Sequence, residues 1–131
     1  MQTFLELDNQ PSEEVIIKNG YHQLSGEALK QKIAGKVVWG DYLYGYKFVT
    51  TLNPNGTMEG KNNAGAHHFG EWTIDMVENT LTITWDWGWA NTTTRAYDVD
   101  GEIWFYDCAT GQWQTSFTKI EAGDLGAPIE I

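Results

Sequence analysis

Residues Thr80–Trp87, with the sequence TLTITWDW, are the stretch that decides the fold. Apolar residues alternate there with polar ones, and successive side chains of a β-strand point to opposite faces of the sheet. The alternation therefore predicts a strand whose threonines face solvent and whose apolar side chains face inward, namely Leu81, Ile83, Trp85 and Trp87. Trp89 keeps the same parity, but it follows a glycine and precedes a turn, so we expect it at the rim.

A regular rhythm of short strands and turns extends from Lys36 onward. Turn sequences such as NPNG at Asn53–Gly56 and DG at Asp100–Gly101 separate runs rich in aromatic and β-branched residues. About eight short strands at such spacing indicate a sandwich or barrel, and short links favour antiparallel neighbours. We therefore predict an all-β fold, a small antiparallel meander barrel of about eight strands over residues 36–120.

The barrel is predicted to be preceded by one short helix at residues 24–35. Ser25 suits the N-cap, Leu24 and Leu29 have the spacing of a hydrophobic staple, and Gly35 suits the position after the C-cap. Residues 1–23, which include EVIIK at Glu14–Lys18, look extended and predict an N-terminal arm or edge strands. We predict a C-terminal tail at residues 121–131 and a single domain over residues 1–131.

The charge balance limits the classes of partner. Eighteen acidic against eight basic side chains give a net charge of −10. Such a charge repels a phosphate backbone and an anionic membrane surface, so we expect neither nucleic acid nor membrane as a partner. No signal peptide is visible, which predicts a cytoplasmic protein unless a leader has been removed. The single cysteine, Cys108, permits no intramolecular disulfide.

Aromatic side chains occur on both faces of two predicted strands. In LYGYKF at Leu43–Phe48 and EIWFYDC at Glu102–Cys108, neither face is clearly polar. We therefore expect that a second surface of the sheet is covered, either by the helix, by the N-terminal arm or by a subunit partner. A homodimer is therefore a possible assembly.

His67, His68 and Glu71 are the residues with catalytic potential. On a strand, His67 and Glu71 point one way and His68 the other, so too few ligands converge for a metal and we predict none. One histidine at a barrel mouth beside a carboxylate can still act as a general acid or base. No motif for nucleotide or covalent catalysis is present, so we expect no cofactor.

The sequence Gly70-Glu71-Trp72, followed by TIDMVENTLTITW, resembles the Gly-x-Trp strand and meander of calycins, the lipocalin-like small barrels. The resemblance covers the rhythm of residues 36–120 and one three-residue motif. Lipocalins carry the motif on their first barrel strand, whereas here it lies mid-chain and the helix precedes the barrel. The resemblance implies a lipocalin-like barrel fold and transfers no functional residue.

Aromatic density with few polar groups favours a site for a small hydrophobic or aromatic molecule. We predict its ligand-binding side chains to be Trp85, Trp87, Tyr44, Tyr46 and Trp104. A cofactor-free isomerase, cyclase or lyase that uses His67 or His68 with Glu71 is a competing hypothesis, and whether the protein is an enzyme stays open. The aromatic residues would also suit a carbohydrate-binding module with exposed Trp89 and Trp113, or an oligomer interface.

Overall fold

The structure, a computed structural model, describes residues 10–86, 88 and 91–122, apart from the side chain of Tyr44. The described residues form eight antiparallel strands, each paired with the next, and the last pairs with the first to close a barrel. The strands are β1 Lys36–Tyr42, β2 Tyr46–Leu52, β3 Thr57–Asn62, β4 His67–Asp75, β5 Thr80–Trp85, β6 Thr92–Val99, β7 Glu102–Asp107 and β8 Trp113–Ala122. The predicted all-β meander barrel is confirmed, and it shares its general architecture with calycins.

Strand β5 has the predicted orientation. Leu81 is fully buried, and Ile83 and Trp85 pack against the same core cluster. On the opposite face the hydroxyls of Thr82 and Thr93 are 2.9 Å apart and exposed. Trp87 and Trp89 lie outside the described residues.

The helix predicted before the barrel is confirmed as α2, Gly26–Ile33. The Ser25 hydroxyl accepts a hydrogen bond from the Ala28 N–H at 3.1 Å, and Gly35 has a φ of +72° beyond the helix end. Leu29 and Ile33 are buried in the barrel core. The Gly35 N–H donates to the Leu52 carbonyl at 2.7 Å, so α2 lies across the barrel end where β2 finishes.

The extended interpretation of EVIIK is wrong, because Glu13–Lys18 form a helix, α1. Two glutamates in its first turn and a lysine in its last favour a helix through the helix dipole. The alternation of the segment is too short to enforce a strand, so packing against the barrel decides its conformation. Ile16 is 3% exposed and Ile17 is 56% exposed, so one helical face is buried. The preceding run TFLEL lies outside the described residues.

Helix α1 covers a second apolar cluster on the outer wall of β6–β8. The members of this outer cluster are Ile16, Tyr97, Val99, Tyr106 and Trp113, with Tyr21, Leu43 and Trp104 packed against it. The second covered surface predicted from the aromatic pattern is therefore present, and the N-terminal segment of the same chain covers it. A homodimer stays a prediction. No helix in the described ranges is long and apolar enough to cross a bilayer.

Candidate functional site

A cavity of about 130 Å³ occupies the barrel interior at the end opposite α2. This end is formed by the β1–β2, β3–β4, β5–β6 and β7–β8 connections. Its deeper wall is apolar and includes Phe48, Leu52, Met58, Ile83, Trp85 and Phe117, while polar side chains lie nearer the mouth. A concave, mostly apolar space with a few polar groups at one side is the usual form of a small-molecule site.

The Trp85 indole is seated by two glycines on neighbouring strands. A Cβ at Gly60 would lie 2.8 Å from Trp85 Cη2, and a Cβ at Gly70 would lie 3.1 Å from Trp85 Cε3. Gly70 pairs directly with Trp85 across β4 and β5. The contact at Gly60 is closer than a real Cβ would allow, and the contact at Gly70 would require the ring to shift by a few tenths of an ångström, so the glycines leave the space that the ring occupies inside the barrel.

Tyrosine and asparagine side chains order the mouth of the cavity. Asn62 donates from Nδ2 to the Tyr42 hydroxyl at 2.7 Å, and its Oδ1 accepts from the backbone N–H groups of Ala64 and Ala66. The Tyr42 ring stacks on Tyr46 with ring centroids 5.3 Å apart. Burial raises the pKa of Tyr42, so its hydroxyl keeps its proton at neutral pH.

The two adjacent histidines separate as strand parity predicts, one on each side of the wall. His68 lines the cavity, and its Nδ1 lies 3.0 Å from Asp86 Oδ1. His67 is exposed on the outer wall, where its Nε2 lies 2.6 Å from Glu59 Oε2. Glu71 is exposed on that same outer wall. The structure therefore does not bring His67, His68 and Glu71 together, and it places Asp86 beside His68 instead.

The aromatic side chains predicted to bind ligand occupy different places. Trp85 lines the cavity, whereas Tyr46 lies behind Tyr42 at the mouth. Trp104 lies on the outer wall, where its Nε1 donates to Glu102 Oε1 at 2.9 Å. Trp87 and the side chain of Tyr44 lie outside the described residues.

Trp113, expected to be exposed if the protein were a sugar-binding module, is only 6% exposed. It belongs to the outer cluster, and its Nε1 donates to Ser116 Oγ at 2.7 Å. An indole face packed in this way cannot stack on a sugar ring, so this part of the carbohydrate-binding hypothesis is wrong. Trp89 lies outside the described residues.

A charged anchor holds α1 on the barrel. Arg95 donates from Nε and one terminal nitrogen to the two Glu13 carboxylate oxygens at 2.6 and 2.8 Å. The Tyr97 hydroxyl also donates to Glu13, at 2.7 Å. Hydrogen bonding to Arg95 lowers the pKa of Glu13 against the opposing effect of burial, and burial raises the pKa of Tyr97. This cluster is charge-paired and lies outside the cavity, so we assign it a role in holding α1.

Several cavity residues could not be recognised from the sequence. Thr50, Met58 and Phe117 line the cavity from three different strands, and nothing in their local sequence distinguishes them from ordinary core residues. The sequence contained one signal for the site, namely glycines within strands. Gly60 and Gly70 lie at inward positions, where a glycine often marks the close approach of another group. Only the tertiary structure shows that both glycines face Trp85: Gly70 pairs with it across β4 and β5, and Gly60 lies against its ring.

Within the described ranges, no three His, Cys, Asp or Glu side chains are grouped so that they could hold a metal ion. Comparisons with protein-family models, curated proteins and solved structures found no match to this chain.

Proposed function

We propose that this protein binds a small, largely apolar ligand of about one aromatic ring in the barrel cavity. The observation that carries the proposal is the apolar cavity of about 130 Å³ beside Trp85. An engineered apolar cavity of about 150 Å³ stays dry and binds benzene, which sets the scale for such a ligand. A long acyl chain or a fused polycyclic ligand would exceed this volume.

The chemistry of the wall supports an apolar ligand. Phe48 and Phe117 meet edge to face with ring centroids 5.8 Å apart, which presents aromatic surface to the cavity. A ligand ring there would exchange water contact for dispersion contact with close-packed side chains. The net charge of −10 also makes an anionic ligand unfavourable at long range.

The methionines provide a direct test, because Met58 lines the cavity and Met76 is 49% exposed. We expect a titration of the protein carrying ¹³C-methyl methionine with toluene to shift the Met58 methyl resonance saturably. The chemical shift of the Met76 methyl group should not change, because exposed Met76 would respond only to nonspecific adsorption. A Met58 signal that does not move up to the solubility limit of toluene would contradict the proposal.

A variant that fills the cavity provides the matched control. Ile83→Phe adds a ring at an inward position of β5, whereas Thr84→Phe adds the same ring at the next, exposed position. We expect the first variant to lose the toluene-induced shift and the second to retain it, both with a folded circular dichroism spectrum. Equal binding by both variants would place the ligand elsewhere.

A further inference from the structure

Thr50 places a hydroxyl inside the apolar part of the cavity wall. It lies on β2 between the inward residues Phe48 and Leu52, lines the cavity and is 5% exposed. Burying a hydroxyl among apolar side chains costs free energy unless the hydroxyl forms a hydrogen bond. The Thr50 hydroxyl therefore needs a partner, either from the protein or from a ligand.

The protein does not supply that partner. Among the residues that the structure describes, no group forms a hydrogen bond with the Thr50 hydroxyl. In the same part of the chain, Asn53 Oδ1 and the Tyr106 hydroxyl are the side-chain atoms that have neither a partner nor accessible surface. Thr50 Oγ1 does not belong with them, so part of its surface stays open. Because Thr50 faces the barrel interior, that open surface lies in the cavity.

Gly60 leaves the Thr50 hydroxyl uncovered. It pairs with Thr50 across β2 and β3, and a Cβ at Gly60 would lie 2.7 Å from Thr50 Oγ1 and 2.8 Å from Trp85 Cη2. Both distances are shorter than a real Cβ contact. The missing side chain therefore opens the space where the hydroxyl and the edge of the indole approach each other, and a ligand ring against Trp85 can reach Thr50 with one polar substituent.

The number of donors decides which substituent fits. A hydroxyl has one proton to donate and two lone pairs, whereas a carbonyl only accepts. One bond from Thr50 to a ligand carbonyl therefore leaves no donor unpaired. A ligand hydroxyl would bring a second donor, for which the flanking Phe48 and Leu52 offer no acceptor. His68 lies on the adjoining strand, but it is already bonded to Asp86.

We propose that the ligand is a single-ring carbonyl compound, such as a cyclic ketone, whose oxygen accepts a hydrogen bond from the Thr50 hydroxyl beside Trp85. The inference rests on the proposed function, because the ring must first occupy the cavity. It adds the class of polar group that the ligand carries. A charged substituent fits less well, since it would lose its hydration against a neutral hydroxyl and apolar side chains.

Cyclohexanone and methylenecyclohexane separate the two proposals, because they have nearly the same shape and differ in the exchange of a carbonyl oxygen for a CH₂ group. Water solvates the ketone more strongly, so the informative quantity is the change in each dissociation constant caused by Thr50→Val. Titrations monitored by the Met58 methyl resonance would measure these constants. We expect Thr50→Val to weaken cyclohexanone binding about two- to tenfold, the range for one net hydrogen bond, and to leave methylenecyclohexane binding unchanged.

Two further variants provide the controls. Thr51→Val makes the same change at the next position of β2, on the opposite face of the strand, so both dissociation constants should stay unchanged. Thr50→Ser keeps the hydroxyl and should retain the response to cyclohexanone.

The stability of Thr50→Val tests the starting observation separately. In urea unfolding this variant should be at least as stable as the unmodified protein, because the hydroxyl that it removes has no partner. A clear loss of stability would show that the hydroxyl is bonded within the protein and would overturn the inference.

The binding outcomes distinguish failure of this inference from failure of the proposed function. Binding of both compounds, with no selective loss of cyclohexanone in Thr50→Val, would overturn the carbonyl assignment and leave the cavity proposal standing. Failure of both compounds to bind the unmodified protein would overturn both proposals. Tighter binding of cyclohexanol than of cyclohexanone would also overturn the assignment, since it would show that a ligand donor finds an acceptor in the cavity.

Discussion

At the scale of single residues, a partly buried ion pair between Glu13 and Arg95 anchors α1 to the barrel. The Glu13 side chain is 11% exposed and the Arg95 side chain 31% exposed, so one partner is largely dehydrated and the other still meets water. Breaking a buried pair leaves an uncompensated charge, which costs more than the pair itself contributes. The anchor therefore controls how firmly α1 is held.

The Glu13 anchor predicts an acid sensitivity. The pKa of Glu13 is lowered in the folded state, mainly by its hydrogen bond to Arg95. The ionised carboxylate therefore stabilises the fold fully when the pH is above the ordinary carboxyl pKa. This stabilisation is lost as the pH falls from that ordinary value through the lowered one. We expect Glu13→Gln to reduce the free energy of unfolding by about 2 kcal/mol at neutral pH, and by less in acid.

Urea unfolding over a pH series would measure this effect. Glu14→Gln is the control, because Glu14 is the exposed neighbour in the same helix. An equal loss in both variants, or a loss from Glu13→Gln that does not shrink in acid, would contradict the role of the ion pair.

At the scale of elements, helices α1 and α2 stabilise the barrel in different ways. Helix α2 carries its own N-cap at Ser25 and is also held by Asn79 in the β4–β5 turn, whose Oδ1 accepts from the Gly26 N–H at 2.8 Å. Helix α1 has six residues and no side-chain bond at its N-cap. A helix that short is unstable alone, so its conformation depends on packing.

Ile16 and Ile17 test that dependence with the same chemical change on adjacent residues. Ile16→Ala removes a side chain that is 3% exposed from the outer cluster, whereas Ile17→Ala changes one that is 56% exposed. We expect the first to cost about 2–4 kcal/mol of unfolding free energy and the second well under about 1 kcal/mol. Thermal and urea unfolding would measure both, and equal effects would show that α1 does not pack as described.

At the scale of the whole molecule, the dominant electrostatic property is the excess of negative charge. A net charge of −10 on 131 residues opposes the compact state through mutual repulsion. Salt screens such repulsion between exposed charges, while it affects the Glu13–Arg95 pair less because that pair is partly buried.

We therefore expect the melting temperature to rise when sodium chloride is increased from about 0.01 M to about 0.15 M, a range over which the Debye length falls from about 30 to 8 Å. Scanning calorimetry would measure the change, with sucrose of equal osmolality as the control for nonspecific effects. A melting temperature that falls with salt would show that attractive surface pairs outweigh the net repulsion.

The sequence itself determined the strand pattern, the position of α2 and the inward orientation of Trp85. Each depends on short-range chemistry: alternation along β5, the Ser25 N-cap and the turn residues between strands. Strand parity also places His67 and His68 on opposite faces of β4.

Tertiary structure alone decided which residues surround the cavity and how the N-terminal segment folds. EVIIK alternates too briefly to select a strand, and Glu13 is committed to a helix by Arg95 and Tyr97, more than eighty residues away. Asp86 meets His68, and Gly60 accommodates Trp85, only because the barrel closes in one register. Contacts between distant strands depend on that register, which local propensity does not specify.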